Sequence, residues 1–297
     1  MLLKTFYRTY MLFRWVLRTT GLLRPIRALV GPLAGRTLVR LSGQSGRPVE
    51  VMGHQMVLAS SGRFAPIAMA LGEYEPRTTE LLERLVQPGT TVLDIGGHVG
   101  YYSLIAARKT GSAGRVFAFE PELSNYELLT QNIELNGYQN ITAVNKAAFR
   151  GTGKLALHIS GLDTGRHSIY DHSLPETGTQ EVETVAVDSF LESQGWPKVS
   201  LVKIDVEGAE VDVLVGMDRL LREPEDIKLI VEFNPLLLQN AGVDVHQFLE
   251  IPTRWGFTVQ VVDEEEGIIP LEQADPSQLV ARLLSSEGSV NLFCEKQ

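Results

Sequence analysis

Apolar and polar positions along this chain fall into short blocks of two kinds. Apolar runs with little alternation recur at residues 91–95, 116–119, 141–145, 201–204, 227–233, 256–262 and 289–294, and each predicts a strand covered on both faces. Between them, apolar residues at helical spacing predict helices near 101–108, 124–136, 210–222 and 246–255, with another at 76–86 ahead of the first of these strands. Strands that alternate with helices imply an α/β fold with a mostly parallel sheet and helices on both faces. Such sheets bind ligands outside the carboxyl ends of their strands. Residues 49–60 alternate like an edge strand or hairpin. A strand pair at 154–159 and 181–187 interrupts the order. The polar segment 160–180 between them carries His167 and His172 and is long enough to form a lid.

The first 48 residues follow a different rule and are read as a separate head, with the body at 49–297. On a helical projection Lys4, Arg8, Arg14 and Arg18 share one arc, while Leu2, Phe6, Phe13, Val16 and Leu17 gather opposite. A basic amphipathic helix of this kind can lie on an anionic membrane surface, through residues 1–40, with its cations on the headgroups. It can equally pack on the body or on a second copy in a homodimer, and a cleaved transit peptide is a third reading. No apolar run approaches the roughly 18–20 residues of a spanning helix, so a cytoplasmic, at most peripheral, protein is expected.

Charge sharpens this division. The chain holds 27 basic and 36 acidic residues; nine of the basic and none of the acidic lie in residues 1–49, which leaves 18 against 36 in the remainder. An acidic body repels a phosphate backbone, so no nucleic-acid partner is expected. The single cysteine, Cys294, excludes an intrachain disulfide and a cysteine-based zinc site.

The strongest local signal is the stretch TVLDIGGHVGYYS, where an apolar strand carrying Asp94 runs into Gly96, Gly97 and Gly100 and then into a helix. Such a turn lets something approach the backbone closely. A dinucleotide fingerprint needs glycine where His98 stands, which weakens a nicotinamide reading. Glu120 ends the next strand, where a carboxylate can accept both hydroxyls of a ribose. A ligand with a ribose but no pyrophosphate fits, and S-adenosylmethionine is such a ligand. Asp94 would favour its ammonium, Glu120 its ribose, Asn125 would cap the following helix or approach the adenosine, and Ala147 and Ala148 would offer adenine a flat wall. Asn132 and Asn136 read as structural.

Four blocks, VLDIGGHVGYYSLIAA, VFAFEPELSNYELLTQNIELNG, LVKIDVEGAEVDVL and LIVEFNP, resemble in order those of the FkbM-type methyltransferases, over roughly residues 76–242. The resemblance implies a class I methyltransferase (Rossmann-like) fold, S-adenosylmethionine as co-substrate, and usually O-methylation of a hydroxyl on a sugar, glycolipid or secondary metabolite, so that the partner is a small-molecule or glycan acceptor. Members commonly carry Ala-Asn where this chain has Gly97 and His98, which puts the side-chain contact of His98 in question. An N- or C-methyltransferase of the same fold and a non-catalytic nucleoside-binding protein are the alternatives.

Methyl transfer to a hydroxyl needs alignment and a proton acceptor. Asp205, at the end of KID, Glu207 in the turn that follows, and the loop residue His167 are the candidates, with Glu210 behind them; acidic residues here would also serve a helix N-terminus without catalytic duty. Lys203, inside an apolar strand, should reach an acidic partner. Asp205, Glu232 and Asn234 together offer hard oxygen ligands that could hold Mg2+, but no short-range ligand motif supports this set, and no metal is assigned.

Overall fold

The computed structural model describes residues 46–59, 65–171, 175–223 and 226–296. Residues 1–45 of the head, with Lys4, Arg8, Arg14 and Arg18, and His172 lie outside these. Two units divide at Tyr74 and Glu75. In the first, β1 (Val49–Val51) and β2 (His54–Met56) form the antiparallel hairpin expected from the alternation at 49–60, turning through Met52 and Gly53 at positive φ. α1 (Ala65–Leu71) follows, with Ile67 and Ala68 buried.

The second unit opens with α2 (Pro76–Leu85), β3 (Thr91–Ile95), α3 (Tyr101–Thr110), β4 (Arg115–Phe119), α4 (Leu123–Leu135) and β5 (Ile141–Val144). A side sheet comes next: β6 (Ala147–Ala148), β7 (Gly153–Ser160) and β8 (Glu176–Val185), followed by α5 (Val187–Ser193). The chain then forms β9 (Val199–Ile204), α6 (Glu210–Gly216), α7 (Asp218–Arg222), β10 (Lys228–Phe233), α8 (Pro235–Asn240) and α9 (Val245–Glu250). β11 (Phe257–Asp263), β12 (Gly267–Pro270), α10 (Pro276–Ser286) and β13 (Val290–Lys296) complete it.

The central sheet has eight strands in the order β12-β11-β13-β10-β9-β3-β4-β5. From β10 to β5 every neighbouring pair is parallel, and β13 runs antiparallel between β10 and β11. This is the mostly parallel α/β architecture of a class I methyltransferase. Its order explains where a ligand can enter. From β3 the chain steps one way, to β4 and β5, and later the other way, from β9 to β10, so right-handed crossovers put the two sets of helices on opposite faces. The reversal leaves a crevice at the carboxyl ends of β3 and β9. The apolar runs that announced the strands are buried together: Leu93, Phe117, Val202, Leu229 and Leu292 belong to one continuous core.

Three sequence expectations are corrected. The helix expected over 210–222 is two, α6 and α7, parted at Met217. A side chain at Gly216 would meet the Phe149 carbonyl oxygen, so α6 ends pressed on the backbone just after β6. The helix expected over 246–255 becomes 3-10 from Ile251, because Pro252 has no N–H to continue the ladder. In the side sheet β8 starts earlier, at Glu176, and Val187 opens α5 instead of ending a strand. The loop between β7 and β8 is therefore shorter than the sequence suggests.

Candidate functional site

The glycine turn sits at the reversal point, and its closest neighbour is the chain itself. Gly96 has φ +88°, and a β-carbon there would stand 1.8 Å from the Asp205 carbonyl oxygen. Asp205 in turn donates its N–H to the Ile95 carbonyl at 2.9 Å, which ties the end of β9 to the end of β3. The close approach to the backbone that the glycines imply is made at Gly96 by the neighbouring strand, so strand packing alone already requires a bare backbone there. At Gly100, with φ +93°, a β-carbon would come within 2.8 Å of Leu129 on α4. Gly97 is less confined, with a β-carbon meeting Ala118, Ser103 and Asp94 at ordinary contact distances.

Asp94 is buried beneath this turn and accepts a hydrogen bond from the Ser103 hydroxyl on α3. Burial pushes its carboxyl up, against the opposing pull of Ser103 and Lys203. Glu120 closes the other side. Its Oε2 accepts the His98 N–H at 2.9 Å and its Oε1 the Glu122 N–H at 2.9 Å, while burial pushes it up to about 7. Asn145, which sequence reasoning passed over, donates to the Glu120 carbonyl at 2.9 Å and steadies the strand end from β5. Asn125 donates to the Thr164 carbonyl at 2.9 Å, and its amide also supports the Glu120 carboxylate. Its Oδ1 is buried without a hydrogen-bond partner. A carboxylate beside an unsatisfied amide oxygen is an arrangement that seeks donors, and the hydroxyls and amino group of a nucleoside supply them.

His98 takes φ 48°, and its Nε2 lies 3.0 Å from the Thr164 hydroxyl of the loop between β7 and β8. Burial lowers its imidazole to about 4, so it is neutral at physiological pH. Ala147 and Ala148 form β6, two residues beyond Asn145. They pair with Thr184 and Val185 in the side sheet and are buried in apolar clusters. Asn132 donates to the Val99 carbonyl at 2.8 Å, as a structural residue should.

At the end of β9 the picture is electrostatic. Lys203 is 1% exposed and donates to Asp205 Oδ2 at 3.0 Å, the acidic partner that its place in an apolar strand predicts. Burial alone would lower its ammonium, but Asp205, Glu75 and Glu232 outweigh it and push it up to about 12. Glu75 was not legible in the sequence: it precedes α2 at φ 38° and accepts the Tyr102 hydroxyl at 2.6 Å. Glu207 also holds a left-handed backbone, φ 53°, which costs a non-glycine residue about 1 kcal/mol or more and is a mark of functional turns. Burial first, and then the charge of Asp205, push its carboxyl well above the ordinary range. Glu210 accepts the N–H groups of Val206 and Gly208, so it shapes the turn from behind.

Asn234 Oδ1 caps α8 by accepting the Leu237 N–H at 3.3 Å. That duty sets it apart from the oxygen ligands with which the sequence reading grouped it. Instead, one carboxylate oxygen each from Asp205, Glu207 and Glu232 lie within 4.8 Å of one another.

The segment between β7 and β8 folds back over this edge. Thr164 reaches His98 and Asn125, Ser168 donates to the Glu207 carbonyl at 2.7 Å, and Tyr170 donates to Asp212 on α6 at 2.6 Å. Arg166 Nε stands 3.9 Å from Glu207 Oε2. The lid expected from loop length is thus anchored at both the glycine turn and the acidic turn. His167 Nδ1 accepts the Ser160 N–H at 3.0 Å, so a neutral ring carries its proton on Nε2. With Nδ1 engaged by that N–H, the ring is poorly set to take a proton.

Among the described residues no helix is long and apolar enough to cross a membrane. The hexuronic acid methyltransferase AglP of Haloferax volcanii is 26% identical over 265 residues, covering 88% of this chain and 95% of that protein. Methyltransferase 1 of Beauveria bassiana is 30% identical over 145 residues, 43% of this chain and 58% of its own length. Among solved structures, the O-methyltransferase from Bacillus cereus in complex with SAH aligns at 16% identity and TM-score 0.43, over 74% of this chain and 81% of that one. The model of the Methyltransferase FkbM domain matches residues 94–259, more than half of the chain and the whole stretch from the glycine turn to β11. With that match spanning the crevice just described, the chain belongs to the FkbM methyltransferase family and is an S-adenosylmethionine-dependent methyltransferase.

Proposed function

We propose that this enzyme O-methylates a hydroxyl of a sugar, with an acidic, uronic-acid-containing glycan as the acceptor class. One observation carries the O-methylation: Asp205 stands at the end of β9 directly against the glycine turn, where its N–H binds Ile95, and Glu207 brings a second carboxylate within 4.8 Å of its own. Similarity to a hexuronic acid methyltransferase along nearly its whole length supports the acceptor class. Arg166, on the lid and next to Glu207, is a cation positioned to meet an acceptor carboxylate.

In this reading Glu120 and Asn125 hold the nucleoside of S-adenosylmethionine, the turn from Gly96 to Gly100 bounds its amino-acid end, and Asp94 acts from beneath through Ser103. The co-substrate supplies a methyl group already activated by positive sulfur, so the chain has mainly to align the acceptor and exclude water. The acidic turn takes up the hydroxyl proton, and the lid closes over it. The test is incubation of the protein and S-adenosylmethionine with uronic-acid oligosaccharides and with neutral ones, read by mass spectrometry for the increment of one CH2 group. A product only with neutral sugars, or with amines, would overturn the acceptor assignment.

Two predictions follow for the residues named. Glu120→Ala should weaken binding of S-adenosylhomocysteine by about 1.5–3 kcal/mol, roughly tenfold to a hundredfold, as expected for a charge-assisted hydrogen bond. The ionised carboxylate is the form that accepts donors from the ribose. With burial holding Glu120 at about 7, affinity should therefore fall as pH drops below that value, by about tenfold per pH unit at the limit. Glu120→Ala should lose that slope. Calorimetric titration across pH measures both, and an affinity indifferent to pH and to the substitution removes Glu120 from the donor site.

Glu207→Gln and Asp205→Asn should each keep S-adenosylhomocysteine binding while lowering turnover by about two orders of magnitude. Loss of binding in step with rate would instead place these carboxylates in the donor pocket.

A further inference from the structure

We propose that Asp205, Glu207 and Glu232 form a binding site for a divalent cation with hard-ligand preference, Mg2+ or Mn2+, at the acceptor side of the crevice. The three residues come from two adjacent strand ends and the turn after one of them, and one oxygen of each lies within 4.8 Å of those of the other two. An ion at about 2.4 Å from its ligands spans oxygens up to about 4.8 Å apart, and one at about 2.1 Å spans up to about 4.2 Å, so Mg2+ or Mn2+ needs the three side chains to close by no more than a few tenths of an ångström.

Two further observations point to a ligand there. Glu232 Oε2 is buried and has no hydrogen-bond partner, although it belongs to an acidic side chain near the middle of the sheet edge. A buried carboxylate oxygen left unsatisfied costs several kcal/mol unless a proton or a cation meets it. The local charge is also unbalanced. Lys203 is a single ammonium that faces Glu75, Asp205 and Glu232 together, and its hydrogen bond goes to Asp205 Oδ2. Arg166 Nε stands 3.9 Å from Glu207 Oε2, beyond hydrogen-bond distance.

The site has a way in. The side chains of Asp205 and Glu207 are 26% and 13% exposed, while Glu232 lies behind them. An ion entering from the lid side would meet Asp205 and Glu207 first and Glu232 at the back, and would keep its outer positions for water or for oxygens of the acceptor. For an acidic sugar this matters: a carboxylate-bearing acceptor approaching a cluster of carboxylates is repelled, and a cation between them reverses the sign. That last consequence rests on the acceptor class proposed above; the cation site does not.

The full-length protein, stripped with EDTA and desalted, is titrated with MnCl2 and free Mn2+ is followed by electron paramagnetic resonance. One Mn2+ per chain, displaced by Mg2+, is expected. Loss of an outer-sphere partner already weakens metal sites by about tenfold to a hundredfold, so Glu232→Gln and Glu207→Gln should each weaken Mn2+ by at least about tenfold. Both variants should still bind S-adenosylhomocysteine, which reports an intact fold. Absence of a stoichiometric site in the wild-type protein overturns the proposal, as does Mn2+ binding unchanged by both substitutions. A protein that binds Mn2+ yet methylates no uronic acid would leave the cation site standing and sink the acceptor class alone.

Discussion

Gly96→Val should leave almost no folded protein. The new β-carbon would stand 1.8 Å from the Asp205 carbonyl oxygen and 2.9 Å from the carbonyl carbon, both backbone atoms that cannot rotate away. Relief requires β3 and β9 to separate at their carboxyl ends, which breaks the Asp205 N–H to Ile95 bond and opens the core around Ile95 and Ile204. A φ of +88° adds backbone strain for any residue with a β-carbon. Together these place the loss at about 4 kcal/mol or more, in the range reserved for a few severe mechanisms. Gly96→Ala carries the same β-carbon and should move in the same direction. Urea unfolding measures the midpoint, and an alanine variant with a wild-type midpoint would show that the turn yields easily and that its glycine serves the ligand after all.

Lys203→Met should be the second large effect. The substitution keeps the apolar stem but removes the ammonium that Asp205, Glu75 and Glu232 share. Deleting one partner of a buried ionic cluster leaves the others uncompensated, at a typical cost of about 3–5 kcal/mol. Measured on EDTA-treated protein, so that no cation substitutes for the lysine, the unfolding midpoint should fall with little change in slope. A stable Lys203→Met protein would mean that Glu75 and Glu232 are neutral in the native state and that the lysine is dispensable for the fold.

The two substitutions separate two kinds of information. Gly96 and Lys203 are both conspicuous in the sequence, a glycine after a strand and a cation inside one. The expected partner of Lys203, an acidic group, is confirmed in Asp205. What approaches Gly96 was not legible, because a turn that admits a ligand and a turn that admits a neighbouring strand carry the same residues. The lid shows the same limit. That a long loop lies there was legible, though not where β8 begins, and that Thr164 meets His98 while Tyr170 meets Asp212 depends on how the side sheet is set beside the central one.

His167 marks another boundary. A loop histidine near candidate carboxylates reads as a base, yet the Ser160 N–H takes its Nδ1 and assigns it the donor tautomer. Nothing in residues 160–167 announces that bond, since it needs the chain to close on itself after β7.

By itself the sequence determined the strands and most of the helices of the second unit, the crevice-edge positions of Asp94, Glu120 and Asp205, and the family, because those rest on periodicity and on motifs read within one strand and its following turn. Local backbone preference and an alternating pattern of burial act over a few residues, so they are written in consecutive letters. Only the tertiary structure brought Glu232 to Asp205 and Glu207, enlisted Asn234 as a helix cap, drew Glu75 toward Lys203 and left Asn125 Oδ1 unsatisfied beside Glu120. These are contacts between residues far apart in the chain, and their energies depend on distance and burial, quantities that exist only once the strands are laid side by side.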